Sequence, residues 1–345
     1  MKISLLFLAL TFSVSSNSVL SQEVIPARKI IDALKEKRCD KAFKMLNGVD
    51  DLNYRDKAGG TMLMYSSVNG CIEVANWLLE KGASPDLKSN EGFTALHMAS
   101  RNGHYEIAEA LLKNGAKADE LNITSSTALY MASQQGHSKI IELLIANGAQ
   151  IDFKSNGEFT ALFIASQYGK FDAVKLLTEK GAALDIPTNR GATPLFIASS
   201  GGYTDIVKIF LEKGANIESR TRRGATPLFV SSQDGKTEIV KLLLEHGADI
   251  KMRTNDGLSP LLSASIRGHA EIVKLLLENG AEVDQKTNQG TTSLMIASAN
   301  GHTEVVKILL DNGADSSLKN ESGKTAAEVA ANEEIRNLIG RIKKL

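Results

Sequence analysis

The chain has 345 residues, and its 40 basic residues balance 40 acidic ones. That balance leaves no global field to draw it onto nucleic acid or an anionic membrane surface. Its two cysteines make half a ligand set, which excludes a cysteine-built metal centre.

Residues 1–21 stand apart from the rest. Lys2 precedes an apolar run from Ile3 to Val14, and Val19-Leu20-Ser21 fits a signal-peptidase site with Gln22 as the first mature residue. This segment reads as a secretory signal peptide. The apolar run is too short for a bilayer core, which needs about 20 residues. The mature chain is therefore expected to be exported, periplasmic or secreted, with no membrane insertion after cleavage. Residues 22–56 predict an N-terminal capping helix pair, made polar by Arg28, Lys29, Lys35, Lys37, Lys41 and Lys44.

From residue 57 to 320 the chain repeats itself. Leucine recurs every 33 residues at Leu63, Leu96, Leu129, Leu162, Leu195, Leu228, Leu261 and Leu294. A Gly-Ala pair trails each, from Gly82 to Gly313, and no insertion breaks the register. A fixed period of this size means a solenoid, one elongated array and not two domains. Within a unit, Thr193 is a natural N-cap and Pro194 suits the first helical position. Gly202 ends the first helix, a second runs from Thr204 to Glu212, and Gly214 closes it. Helices of two or three turns do not persist alone in water, so stacking must hold them. Residues 321–345 predict a shortened C-terminal capping unit, with polar Asn332-Glu333-Glu334 and a basic end.

The pattern G-x-T-P-L-x-x-A…G-H-x-E-I-V-x-L-L-x-x-G-A-D, clearest at Gly224–Asp249 and Gly257–Glu282, resembles the ankyrin repeat. The resemblance covers residues 59–330. It implies an all-α solenoid of stacked helix-turn-helix units with projecting β-hairpin loops and a concave groove. It also implies a non-enzymatic scaffold that binds one or more proteins, with no cofactor and no metal; a monomer is expected.

Three features depart from that pattern. A serine recurs near the end of each first helix at Ser67, Ser100, Ser133, Ser166, Ser199, Ser232, Ser265 and Ser298. It is either a small packing residue bonded back to the preceding turn, or one rung in a ladder of hydroxyls for a ligand. The position after the repeated leucine reads Met64, His97, Tyr130, Phe163, Phe196, Phe229, Leu262 and Met295, which is either packing or a stripe of interface anchors. The turn glycine is replaced by Ser125 and Glu158, which predicts altered tips at two neighbouring hairpins.

No catalytic constellation emerges. His104, His137, His269 and His302 occupy one repeated slot, where the resemblance implies a ring tying loop to helix. No nucleophile elbow, phosphate loop or dinucleotide fingerprint is present. Cys39 and Cys71 fall at nearly equivalent places in adjacent units, compatible with one bridge or with two half-buried thiols. Arg220, Arg222, Arg223, Lys251 and Arg253 form a basic edge, either solvated loop charge or a dock for an acidic partner.

The register also names recognition positions that vary between units. The candidate partner-binding residues are Phe93, Arg101, Gln134, Gln135, Phe159, Gln167, Tyr168, Arg190, Arg222, Arg223, Gln233, Asp234, Leu258, Ile266 and Arg267. Phe93, Phe159, Tyr168, Leu258 and Ile266 are the apolar anchors among them. Two other functions compete with the leading one. One is a secreted effector, inhibitor or immunity-type factor acting on another organism's protein. The other is a small-molecule binder along the serine and aromatic face.

Overall fold

The computed structural model describes residues 25–342, and side chains as far as Gly340. The predicted signal peptide lies outside the described residues. The array begins with α1 (Ala27–Lys35) and α2 (Cys39–Met45). The first four repeated pairs are α3 (Met62–Asn69) with α4 (Ile72–Glu80), α5 (Ala95–Asn102) with α6 (Tyr105–Lys113), α7 (Ala128–Gln135) with α8 (Ser138–Ala146), and α9 (Ala161–Gln167) with α10 (Phe171–Glu179). The next four are α11 (Pro194–Gly201) with α12 (Thr204–Glu212), α13 (Pro227–Gln233) with α14 (Thr237–Glu245), α15 (Pro260–Arg267) with α16 (Ala270–Glu278), and α17 (Ser293–Asn300) with α18 (Thr303–Asp311). Two helices finish it, α19 (Ala326–Val329) and α20 (Glu333–Ile342).

The local reasons repeat with the sequence. Thr193 accepts the backbone N–H of Phe196 through its hydroxyl, and Pro194 opens α11. Gly202 ends it in the left-handed region at φ 80°. First helices stack on first helices and second on second, in two layers. The repeated leucines fill the gap between units: Leu63, Leu162 and Leu294 are all at most 1% exposed. Burying one such side chain stabilises by roughly 2 kcal/mol, and no single unit could bury it alone.

Four sets of cross-unit bonds lock the register. At the tips, a backbone N–H donates to the preceding tip, as Asn90 to Ala58, Ile123 to Glu91, Asn156 to Thr124 and Arg222 to Arg190. Below the second helices, a carboxylate accepts a backbone N–H from the following unit: Asp86 from Lys117, Asp119 from Gln150, Asp152 from Ala183 and Asp185 from Asn216. This series has a gap where Lys251 stands in place of the carboxylate and resumes when Asp284 accepts from Asp315.

The third set uses the repeated histidine slot. Nε2 of His104 donates to the Val68 carbonyl at 3.1 Å, His137 to Arg101, His269 to Gln233 and His302 to Ile266. A carbonyl only accepts, so Nε2 carries the proton. The ring ties its loop to the end of the first helix in the preceding unit. Gly103 leaves room for it; a Cβ there would lie 2.7 Å from the His137 ring. In the first unit the slot holds Cys71, and the tie is covalent: Cys39 and Cys71 form a disulfide with Cα atoms 5.4 Å apart. The fourth set runs along the hairpin flanks, where Arg55, Lys88, Arg220 and Arg253 each donate to a carbonyl of the next unit.

The hairpin tips differ from the expectation. Ser125 and Glu158 hold the left-handed conformation that glycine takes elsewhere, at φ 54° and 63°. Their amides close the same turn, onto Asn122 and Ser155, that Gly92 closes onto Ser89. A non-glycine residue there costs about 1 kcal/mol or more, and the tip-to-tip bonds on either side hold it in place. The projections are tight turns, and no extended strand forms among the described residues.

Candidate functional site

The serine ladder is internal. All eight serines are 0% exposed. Ser67, Ser166, Ser199, Ser232 and Ser298 donate to the leucine carbonyl one turn back. Ser100, Ser133 and Ser265 are buried without a partner. None of these hydroxyls faces a groove, so the packing reading holds for them. At the position after the leucine, Phe163, Phe229, Leu262 and Met295 are buried, while Tyr130 and Phe196 are half-buried.

His97 is a framework residue of a different kind. Its Nδ1 accepts the backbone N–H of Thr94 and its Nε2 donates to the Ser126 carbonyl at 3.0 Å. Burial disfavours the charged ring and pushes its pKa down to about 4. Asp56, in the first hairpin, is also perturbed. Burial alone would raise its pKa, but hydrogen bonds from Lys35, Tyr65 and the Gly60 amide hold it at about 2. Among the described residues no group of three His, Cys, Asp or Glu could hold a metal ion.

The groove face is where variable residues meet. One hollow of about 370 Å³ is lined by Phe93, Arg101, Gln134 and Phe159, four of the expected residues, with Asn122, Tyr130, Met131 and Asn156. A second, of about 400 Å³, shares Phe93 and Arg101 and adds Met64, Tyr65, Val68, Met98 and Glu91. The two are contiguous across the first helices α3, α5 and α7 and the hairpins before α3, α5, α7 and α9. Phe93 and Phe159 are not free anchors. Phe93 packs edge-on against His97 at 6.0 Å, and Phe159 lies against Phe163 at 5.3 Å. Both present one face to the hollow and are half-buried.

The other expected residues lie along the same face without joining the hollows. Gln135, Gln167 and Tyr168 are exposed, Tyr168 at 50%. Arg190, Arg222 and Arg223 are exposed tip residues, Gln233 is half-buried, and exposed Asp234 accepts from the Ser200 hydroxyl. Leu258 and Ile266 are half-buried, and Arg267 is exposed. The basic edge is smaller than its sequence, because Arg220 and Arg253 are committed to carbonyls of the next unit.

One residue was overlooked as an anchor. Ile123 is 67% exposed at its tip, between two residues that line the first hollow. The signal was present: Asn90, Asn156, Asn189, Asn255 and Asn288 fill the same slot, and an isoleucine there has no framework reason. Tyr130, Met131 and Asn156 enter the site only because units stack, which no single unit reveals.

A family model described as ankyrin repeats (3 copies) matches residues 30–122, 115–189, 180–254, 217–287 and 264–339. The crystal structure of the human ASB11 ankyrin repeat domain is similar at a TM-score of 0.58 and 29% sequence identity, covering 63% of this chain and 98% of that one. No curated protein matches the chain.

Proposed function

The chain belongs to the ankyrin-repeat family, and on that premise we propose that it is an exported scaffold that binds a partner protein along its groove and performs no chemistry of its own. The observation that carries this reading is the convergence of Phe93, Arg101, Gln134 and Phe159 on one hollow from three successive units. Their framework repeats unchanged while they vary. Interfaces draw their energy from a few partly buried aromatic and arginine side chains of this kind. The Cys39–Cys71 disulfide supports export, since such bonds persist in oxidising compartments. So does the leader-like sequence of residues 1–21. The scaffold reading is favoured over a ligand-binding serine face because those hydroxyls are all buried.

Affinity capture from the native exported fraction, with mass spectrometry, tests the proposal. A specific protein should be retained by the wild type and depleted severalfold by Phe159→Ala combined with Tyr168→Ala. Retention that is indifferent to groove and tip substitutions alike would sink the surface assignment. Cell fractionation tests export directly, and protein found in the cytoplasm would sink that part.

A further inference from the structure

We propose that the two hollows flanking Arg101 form one site for an extended segment of another protein, in which an aspartate or glutamate stands between two apolar side chains three positions apart. This rests on the protein-binding reading above and gives it a ligand chemistry.

The central observation is an uncommitted cation. The guanidinium groups of Arg55, Arg220 and Arg253 are held by backbone carbonyls. That of Arg101 has no hydrogen bond or ion pair among the described residues. It is the single charged residue lining the hollow of about 370 Å³, and shares the one of about 400 Å³ only with Glu91. A guanidinium offers a planar fork of donors that matches a carboxylate. One cation beside an acidic rim residue is a poor phosphate or nucleic-acid site, but it suits a lone carboxylate. On one side of it the walls are Met64, Tyr65 and Met98; on the other they are Tyr130 and Phe159. Such walls recognise the apolar neighbours of that carboxylate.

The spacing selects the conformation. Packed helices lie roughly 8–10 Å apart, so the hollows of adjoining units are separated by about that distance. A polyproline-type chain has three residues per turn and rises about 3.1 Å each, which brings same-facing side chains to about 9 Å. Same-facing side chains of a β-strand recur at about 7 Å, and one turn of an α-helix spans about 5.4 Å. Only the first keeps step with the stack. Ile123, 67% exposed beside the first hollow, supplies an apolar rim for the segment to cover.

A random dodecapeptide library displayed on phage, selected against the purified protein, tests this. Enriched peptides should carry an Asp or Glu between apolar residues three apart. Fluorescein-labelled copies should lose about tenfold or more in affinity on Arg101→Gln, and Lys139→Gln, on the exposed side of α8 away from both hollows, should leave affinity unchanged. Replacing the peptide acid by its amide should give a similar loss with the wild type and none with Arg101→Gln. The Arg101→Gln protein should melt as the wild type does, since the side chain is exposed and unpartnered. The proposal is overturned if no peptide is enriched, if the enriched set lacks acids, or if Arg101→Gln binds as the wild type does. A captured partner lost on Phe159→Ala with Tyr168→Ala but retained on Arg101→Gln would overturn this chemistry while leaving the scaffold reading intact.

Discussion

The two ends of the array are tied in ways that its centre is not. At the N-terminal junctions a disulfide and the rings of His104 and His137 join successive units. At the C-terminal junctions His269 and His302 do so. Between them the same slot holds Lys170, Tyr203 and Lys236, and no ring reaches a carbonyl. The hairpin-flank bonds stop at the same three junctions. Arg55 and Lys88 make them before, Arg220 and Arg253 after, while Leu121 and Pro187 cannot and Lys154 pairs with Glu158. The tip bonds and carboxylate rungs continue across the centre, but in place of the two missing sets stand only exposed, weak links such as Lys180 to Glu142 and Ser200 to Asp234. In a solenoid each unit contacts only its neighbours, so a missing tie is not shared out over the molecule. Opening is therefore expected to begin in the middle, against the usual fraying of ends. Native-state hydrogen exchange should show α9 to α12 less protected than α5 to α8 or α15 to α18.

The largest effect should come from cutting the strongest end tie. The disulfide closes a loop with a sequence separation of 32, and a crosslink of that span stabilises by about 3–4 kcal/mol. Cys39→Ser with Cys71→Ser should lower the unfolding free energy, measured by urea denaturation, by that much. Exchange protection should fall in α1 and α2 while α11 and α12 stay unchanged. If the loss spread evenly along the array, the picture of independent junctions would fail.

Acid should weaken the N-terminal end next. The folded pKa of His97 is about 4 against an ordinary 6.5. Below pH 6.5 the unfolded chain takes up a proton that the folded chain refuses, so stability present above pH 6.5 is lost progressively down to about pH 4. The shift corresponds to about 3 kcal/mol. His97→Phe, a residue already present at the equivalent Phe163 and Phe229, should flatten that part of the pH–stability curve. An unchanged curve would show that another group carries the acid sensitivity.

Smaller changes should convert one region into the other. Lys170→His, Tyr203→His and Lys236→His each place a ring in the slot, and each is expected to add about 1 kcal/mol and to raise exchange protection locally. His269→Lys should subtract as much and make a C-terminal junction behave as a central one. The smallest effect is expected from Lys251→Asp, which restores the absent carboxylate rung and should add roughly 0.5 kcal/mol in urea denaturation.

The helices and their partners were legible because a period of 33 places caps, leucines and terminal glycines in fixed order. The slot histidines were legible for the same reason. The turns at Ser125 and Glu158 were not, because their backbone is held by lateral bonds from neighbouring tips, which outweigh the local preference for glycine. Arg220 and Arg222 read alike as charges, yet one turns along the stack to a carbonyl and the other faces solvent. The groove candidates were found by register. Their grouping was not, since the hollow joins Arg101, Gln134 and Phe159 from three units. Phe93 and Phe159 read as free anchors because their contacts with His97 and Phe163 depend on side-chain direction.

The cross-unit bonds have one more property. Their partners are separated by fixed counts: 31 residues for the carboxylates, 33 for the flank arginines and 36 for the histidine rings. Adding or removing a single residue within a unit would misalign all of these ladders at once. Adding or removing a whole unit would leave the surviving partners in step. The molecule is therefore open to lengthening and shortening by duplication in quanta of 33 residues, and closed to the gradual drift in length that ordinary surface loops accept.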